Sequence, residues 1–163
     1  MQSGAADRAA PEFREVIRMS IRFQRANFLV SDIDAALRFY VDVLGMEVAF
    51  RRPHRDESYS HVVFELDRSN PVGFVGLSTP TQPRVMGLTE FAGLGRLPVP
   101  RRSTIVLHVD DPDAVVERAR AGGYEVMPEQ ELITHDGRRG REFGILDADG
   151  NVVVIYRIIA EAS

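Results

Sequence analysis

Hydrophobic positions repeat with two different periods along this chain. In residues 21–31, Ala26, Phe28 and Val30 fall on one face and Arg25, Asn27 and Leu29 on the other, which predicts a half-buried strand. The period then lengthens. Ile33, Ala36, Leu37, Tyr40 and Leu44 recur at helical spacing. Ser31 or Asp32 is placed to accept from the first free backbone N–H groups, and Gly45 stops the helix because it tolerates a left-handed conformation. Strands are predicted near 47–52, 59–66 and 73–78, separated by the turn-forming residues of 53–58 and 67–71. In the middle strand Tyr59, His61, Val63 and Glu65 share the face opposite Val62, Phe64 and Leu66.

The same plan returns further along. Ile105, Leu107 and Val109 alternate with Thr104, Val106 and His108, and Asp111-Pro112 is a cap followed by proline at the first helical position. Val115, Val116 and Ala119 carry the apolar stripe to Gly122-Gly123. Strands follow near 124–132, 141–146 and 151–158, with turns at Asp136-Gly137 and across 147–151. Val30-x-Asp32-x-Asp34-Ala35 matches Val109-x-Asp111-x-Asp113-Ala114, and Gly45-x-Glu47-Val48 matches Gly123-x-Glu125-Val126. Asp32 to Gly45 is one residue longer than Asp111 to Gly123. The economical fold is α+β: two tandem βαβββ modules, whose curved mixed sheets close around a shared cleft with the helices outside, since one such unit cannot bury its own sheet face. The modules are expected at 21–79 and 103–158, with an extension at 1–20 carrying a short helix after Pro11, a linker at 80–102 and a tail at 159–163. The linker is rich in proline and glycine. Its Met86, Leu88, Phe91, Leu94 and Leu97 predict that it packs over a cleft mouth or a sheet edge.

Composition narrows the function. The chain has 163 residues, 44% hydrophobic and 27% charged, which suits a globular domain. A net charge of −4 argues against nucleic-acid or anionic-membrane partners. Without cysteine there is no disulfide framework, thiolate metal site or thiol nucleophile. No run approaches the roughly 18 apolar residues of a membrane span, so a cytoplasmic protein is expected. No GxSxG elbow or phosphate-cradling glycine loop is present.

Val30-Ser31-Asp32 followed by Phe39-Tyr40 and Leu44-Gly45-Met46, together with Asp147-Ala148-Asp149-Gly150-Asn151, resembles the vicinal-oxygen-chelate superfamily of glyoxalase I, bleomycin-resistance proteins and extradiol dioxygenases. The resemblance spans about residues 21–158. It implies two modules, a cleft between paired sheets, a small-molecule ligand and commonly a homodimer. In metal-using members, His, Gln or Glu side chains reach into the cleft from the first and last strands of each module. The matching positions here are Arg25 and Thr104 on the first strands, with Val154 and a residue near Gly76 on the last. None is a normal ligand for a divalent ion. Arg25 opposes one: a fixed positive charge about 4 Å from a divalent ion costs roughly 8 kcal/mol at an effective dielectric near 20. The expectation is no metal and no cofactor. On a strand, His61 and Glu65 stand about 13 Å apart, too far to grip one ion. His108 is similarly displaced from Thr104, and His54 and His135 fall in loops or turns.

A polar inventory with a few apolar neighbours remains. Arg25, Asn27, His61, Glu65, Thr104, His108 and Tyr156, with Val154, have the parity that points away from the helices and form the candidate ligand-binding set. Arg25 suits a carboxylate, phosphate or enolate oxygen. Plainer readings stand beside these: an Arg25–Glu65 salt bridge, strand packing for Tyr156, a solvent-facing His61. The leading functional expectation is metal-independent binding or sequestration of a small molecule. The alternative is a lyase, isomerase or dioxygenase, either with a rearranged metal site or metal-free, with Arg25 stabilising an oxyanion and His108 or Glu65 moving a proton.

Overall fold

The computed structural model describes residues 22–160. Two four-stranded mixed sheets carry the molecule, and each repeats one topology. The first uses β1 (Ala26–Val30), β2 (Glu47–Arg55), β3 (Val72–Ser78) and β4 (Met86–Glu90) in the order β1-β4-β3-β2. The second uses β5 (Thr104–His108), β6 (Gln130–Ile133), β7 (Arg139–Leu146) and β8 (Val152–Ala160) in the order β5-β8-β7-β6. In both, the first and last strands run parallel side by side and the rest are antiparallel. The α+β, tandem βαβββ expectation stands.

The helices start and stop where backbone chemistry dictates. Asp32 Oδ1 accepts from Ala35 N at 2.8 Å and Asp111 Oδ1 from Ala114 N at 3.0 Å, capping α1 (Ile33–Leu37) and α3 (Pro112–Ala121). Gly45 and Gly123 follow in the left-handed region at φ +75° and +79°. The extra residue of the first repeat is absorbed between them. From Arg38 to Val43 the helix widens to a π-helical turn, with Leu44 N donating to Phe39 O at 3.1 Å. That widening lets consecutive Phe39 and Tyr40 both be buried.

Two segments depart from the sequence reading. The strand expected at 59–66 is instead a short helix, α2 (Tyr59–Val63), capped by Ser58, whose hydroxyl accepts from Ser60 N at 3.2 Å. The missing strand comes from the expected linker: β4 pairs with both β1 and β3, so the first module runs on to Glu90 rather than ending at 79. Met86 and Leu88 are its core residues. β2 continues through Pro53, which a sheet tolerates because β2 is an edge strand. The helix expected after Pro11 lies outside the described residues.

Within one chain the two sheets do not enclose a common cleft. Helices α1 and α3 lie between them, and one hydrophobic core runs from Val75 and Leu88 through Phe39 and Val115 to Ile145 and Ile155. The Phe39 and Tyr124 rings sit 4.8 Å apart across the joint, and Arg118 Nε donates to Val43 O at 3.0 Å. A buried polar knot fastens the modules. Asp147 Oδ2 accepts from Tyr40 OH and from Asn151 Nδ2, both at 2.8 Å, while Oδ1 accepts from the backbone N–H groups of Asp149 and Asn151. Asn151 Nδ2 also donates to Leu29 O, and Asp149 Oδ2 accepts from Ser31 N. Burial pushes the Asp147 carboxyl up despite these donors, and burial first, then Asp147, pushes the Tyr40 phenol up.

Candidate functional site: the open face of the first sheet

Asn27 of β1, Phe50 and Arg52 of β2 and Phe74 of β3 stand on the face away from the helices by strand parity, and Arg25, one residue ahead of β1, joins them. Two glycines let aromatic rings lie down on this face. At Gly87, on β4, an added Cβ would stand 2.7 Å from Phe74 Cζ; at Gly76, on β3, it would run into the Phe50 ring. The two rings are 5.8 Å apart and inclined by 31°. Above them stand cations, with the Arg25 guanidinium carbon 5.2 Å from the Phe74 centroid and that of Arg52 5.6 Å from the Phe50 centroid. Asn27 and Thr89 pair side chain to side chain at the base, Nδ2 donating to Oγ1 at 3.1 Å. Helix α2 raises a rim of Tyr59, Ser60 and Val63 over the edge. The resulting hollow is about 470 Å³, within the range of small-molecule sites.

The sequence-derived candidates fare unequally. Arg25 and Asn27 line this hollow. His61 does not, because α2 turns it inward: it is 4% exposed, its Nδ1 lies 3.1 Å from Ser58 O and its Nε2 2.8 Å from Asn70 O. Both ring nitrogens face backbone carbonyl oxygens of the loop, so the solvent-facing reading fails too. Glu65 falls after α2 in a left-handed turn, φ +53°, exposed and away from the hollow. No Arg25–Glu65 ion pair forms among the described residues. The pair failed together because both rested on strand alternation through 59–66. Ser58, a capping residue just ahead of the segment, was the signal for a helix.

Thr104, His108, Val154 and Tyr156 lie on the open face of the other sheet, so one chain does not bring them to Arg25. His108 and Tyr156 are register partners with ring centroids 5.4 Å apart, and Glu142 on β7 is the next partner of Tyr156. Thr104 Oγ1 donates to Val152 O at 2.9 Å. Val154 is half-buried between Val106 and Gly144. Sequence reasoning passed over Phe50, Arg52 and Glu142. The first two required the register of β2 on β3, and Glu142 required that of β7 on β8.

The register also corrects the metal test. The last strand of the first module is β4, not β3. Gly87 faces Asn27 as Val154 faces Val106, so the position assigned near Gly76 belongs to Gly87. Arg25, Gly87, Thr104 and Val154 offer a cation, no side chain, a hydroxyl already bonded and an alkyl group. The Phe74 ring lies over Gly87, where a ligating side chain would have to start. This donor set does not fit a divalent ion. Elsewhere, His54 lies on β2, not in a loop, and is paired with Glu90. Among the described residues no group of three or more His, Asp or Glu converges as an ion site, and no helix is long and apolar enough to cross a membrane.

The fold has solved counterparts. A glyoxalase family protein from Bacillus cereus superposes with a TM-score of 0.64 at 18% identity, covering 93% of this chain and all of its own. A glyoxalase/bleomycin resistance protein/dioxygenase domain from a Frankia species gives 0.62 at 19%, covering 86% of this chain and 99% of its own. The fosfomycin resistance protein FosX of Listeria monocytogenes, solved with Mn(II) and sulfate, gives 0.60 at 14%, covering 86% of this chain and 95% of its own. No curated protein sequence matches the chain. The family model described as Glyoxalase/Bleomycin resistance protein/Dioxygenase superfamily matches residues 22–155, and with the repeated topology and the closing Asp-Ala-Asp-Gly-Asn turn this places the chain in that superfamily.

Proposed function

We propose that this protein binds a small organic molecule on the open face of its first sheet, without a metal ion, and holds it rather than turning it over. The observation that carries the reading is the Phe74 ring laid on Gly87 beneath the Arg25 guanidinium, a cation–π pair standing where relatives would need ligating side chains. We place the protein in the cytoplasm, as a homodimer. Each chain leaves both sheet faces open, and a second copy laid across them would give each hollow its missing wall. The enzymatic alternative with Arg25 and His108 requires that second copy, because the two residues stand on different sheets. Glu65 is withdrawn from it.

Metal analysis of protein purified without chelator, with mass spectrometry of small molecules released on denaturation, tests the reading. A stoichiometric organic ligand with substoichiometric metal is expected. Stoichiometric zinc, iron, manganese or nickel would overturn it.

A further inference from the structure

We infer that the hollow on the first sheet selects an organic anion, a carboxylate or phosphate carried on an apolar or aromatic body. This rests on the metal-free binding reading above and adds the ligand's charge and shape.

Charge is the first argument. Arg25, Arg52 and Arg55 line the hollow against a single carboxylate, Glu57. None of the three arginines is ion-paired among the described residues, whereas Arg138, Arg139 and Arg141 of the second module each hold a carboxylate. Like charges gathered on one face repel, so leaving them without partners costs stability unless something negative arrives.

Geometry is the second. A guanidinium held over an aromatic face by cation–π attraction spends none of its N–H donors on that contact, and they remain able to grip a carboxylate or phosphate at two points. Arg25 over Phe74 and Arg52 over Phe50 are two such groups on neighbouring rings. The contact with the rings also restrains the long side chains, so less rotamer freedom is lost on binding. The rest of the lining specifies the body: Val63, Phe64 and Val72 are apolar walls at the end of the hollow nearest α2. A bare inorganic anion would leave them wet.

The full chain is titrated calorimetrically at low salt with benzoate, phenyl phosphate, inorganic phosphate, benzyl alcohol and benzylammonium. Benzoate or phenyl phosphate should bind at least about tenfold more tightly than benzyl alcohol, the size of one charge-assisted contact. Benzylammonium should bind no better than the alcohol, and inorganic phosphate more weakly than phenyl phosphate. Which of the two aromatic anions binds more tightly decides between carboxylate and phosphate. The Arg25→Gln, Arg52→Gln double variant should lose the preference. Arg51→Gln, whose side chain is tied to Asp34, should keep it.

Equal binding of alcohol and anion, a preference surviving the double variant, or no binding by any probe would overturn the anion assignment and leave metal-free binding to its own mass-spectrometric test. Equal binding of the two phosphates would overturn the apolar body. Anion binding seen only after a divalent metal is added would instead overturn the metal-free reading.

Discussion

The open faces of the two sheets are built on one topology and furnished differently. On the first, bulky rings lie flat over glycines, uncompensated arginines stand above them and the inserted helix α2 forms a rim. On the second, Met127 lies over Gly144, Arg138 is paired with Asp136, and a His108–Tyr156–Glu142 row crosses three adjacent strands. The two modules thus share the backbone that the buried faces and the joint require and differ at the outward positions. Function belongs to those positions and not to the fold.

Substitutions can break or sharpen this contrast, and the largest effect should come from what the two halves share. Removing the central acceptor with Asp147→Ala strands the Tyr40 hydroxyl and two backbone donors in a buried joint, and a loss of about 3 kcal/mol is expected. Urea unfolding should show one transition with a lowered midpoint. Two separate transitions in the wild type would mean the modules are independent and the comparison should be drawn between domains.

The glycine floors should respond next, and unequally. Gly87→Ala must displace the stiff Phe74 ring and should cost about 1–2 kcal/mol. Gly144→Ala meets the Met127 thioether, 2.5 Å from the new carbon, and should cost less because that side chain is unbranched and can swing aside. Paired thermal melts read the difference. Equal losses would show that the first floor is no more rigid than the second.

Acid should also act oppositely at the joint and on the second module's surface. The folded value of Asp147 is raised above 3.8, so the protonated form is favoured on folding. Its contribution is fully present below the unfolded value and is lost as pH rises through the folded one. Asp113 and Glu129 are lowered, first by their hydrogen bonds to Arg141, so their contribution is present above their unfolded values and is lost as pH falls through the folded ones. Asp113→Asn should therefore flatten the decline of the unfolding midpoint on acidification. An unchanged acid limb would count against that bond. Arg141→Gln, which removes the partner of both carboxylates, should give only a slight destabilisation at neutral pH that disappears in high salt, since these are surface pairs.

Much of the architecture was legible because it is governed by local rules. Asp32 and Asp111 cap, Gly45 and Gly123 stop, and the one-residue mismatch between the repeats became the π-helical turn that buries Phe39 and Tyr40. Alternation placed Arg25, Asn27, Thr104, His108, Val154 and Tyr156 on open faces because a strand offers side chains only two directions. It failed at His61 and Glu65, where strand-prone residues form a capped helix and the left-handed turn that follows it.

The pattern along the chain by itself determined the repeat, the helix limits and the facing of most strand residues, all set by interactions within a few positions. Tertiary structure alone decided that Met86–Glu90 closes the first sheet, that α1 and α3 lie between the sheets, and that two rings lie on glycines beneath two arginines. Those outcomes depend on which distant strand completes a ladder and on how bulky groups share space. Neither is encoded in the spacing of neighbouring residues.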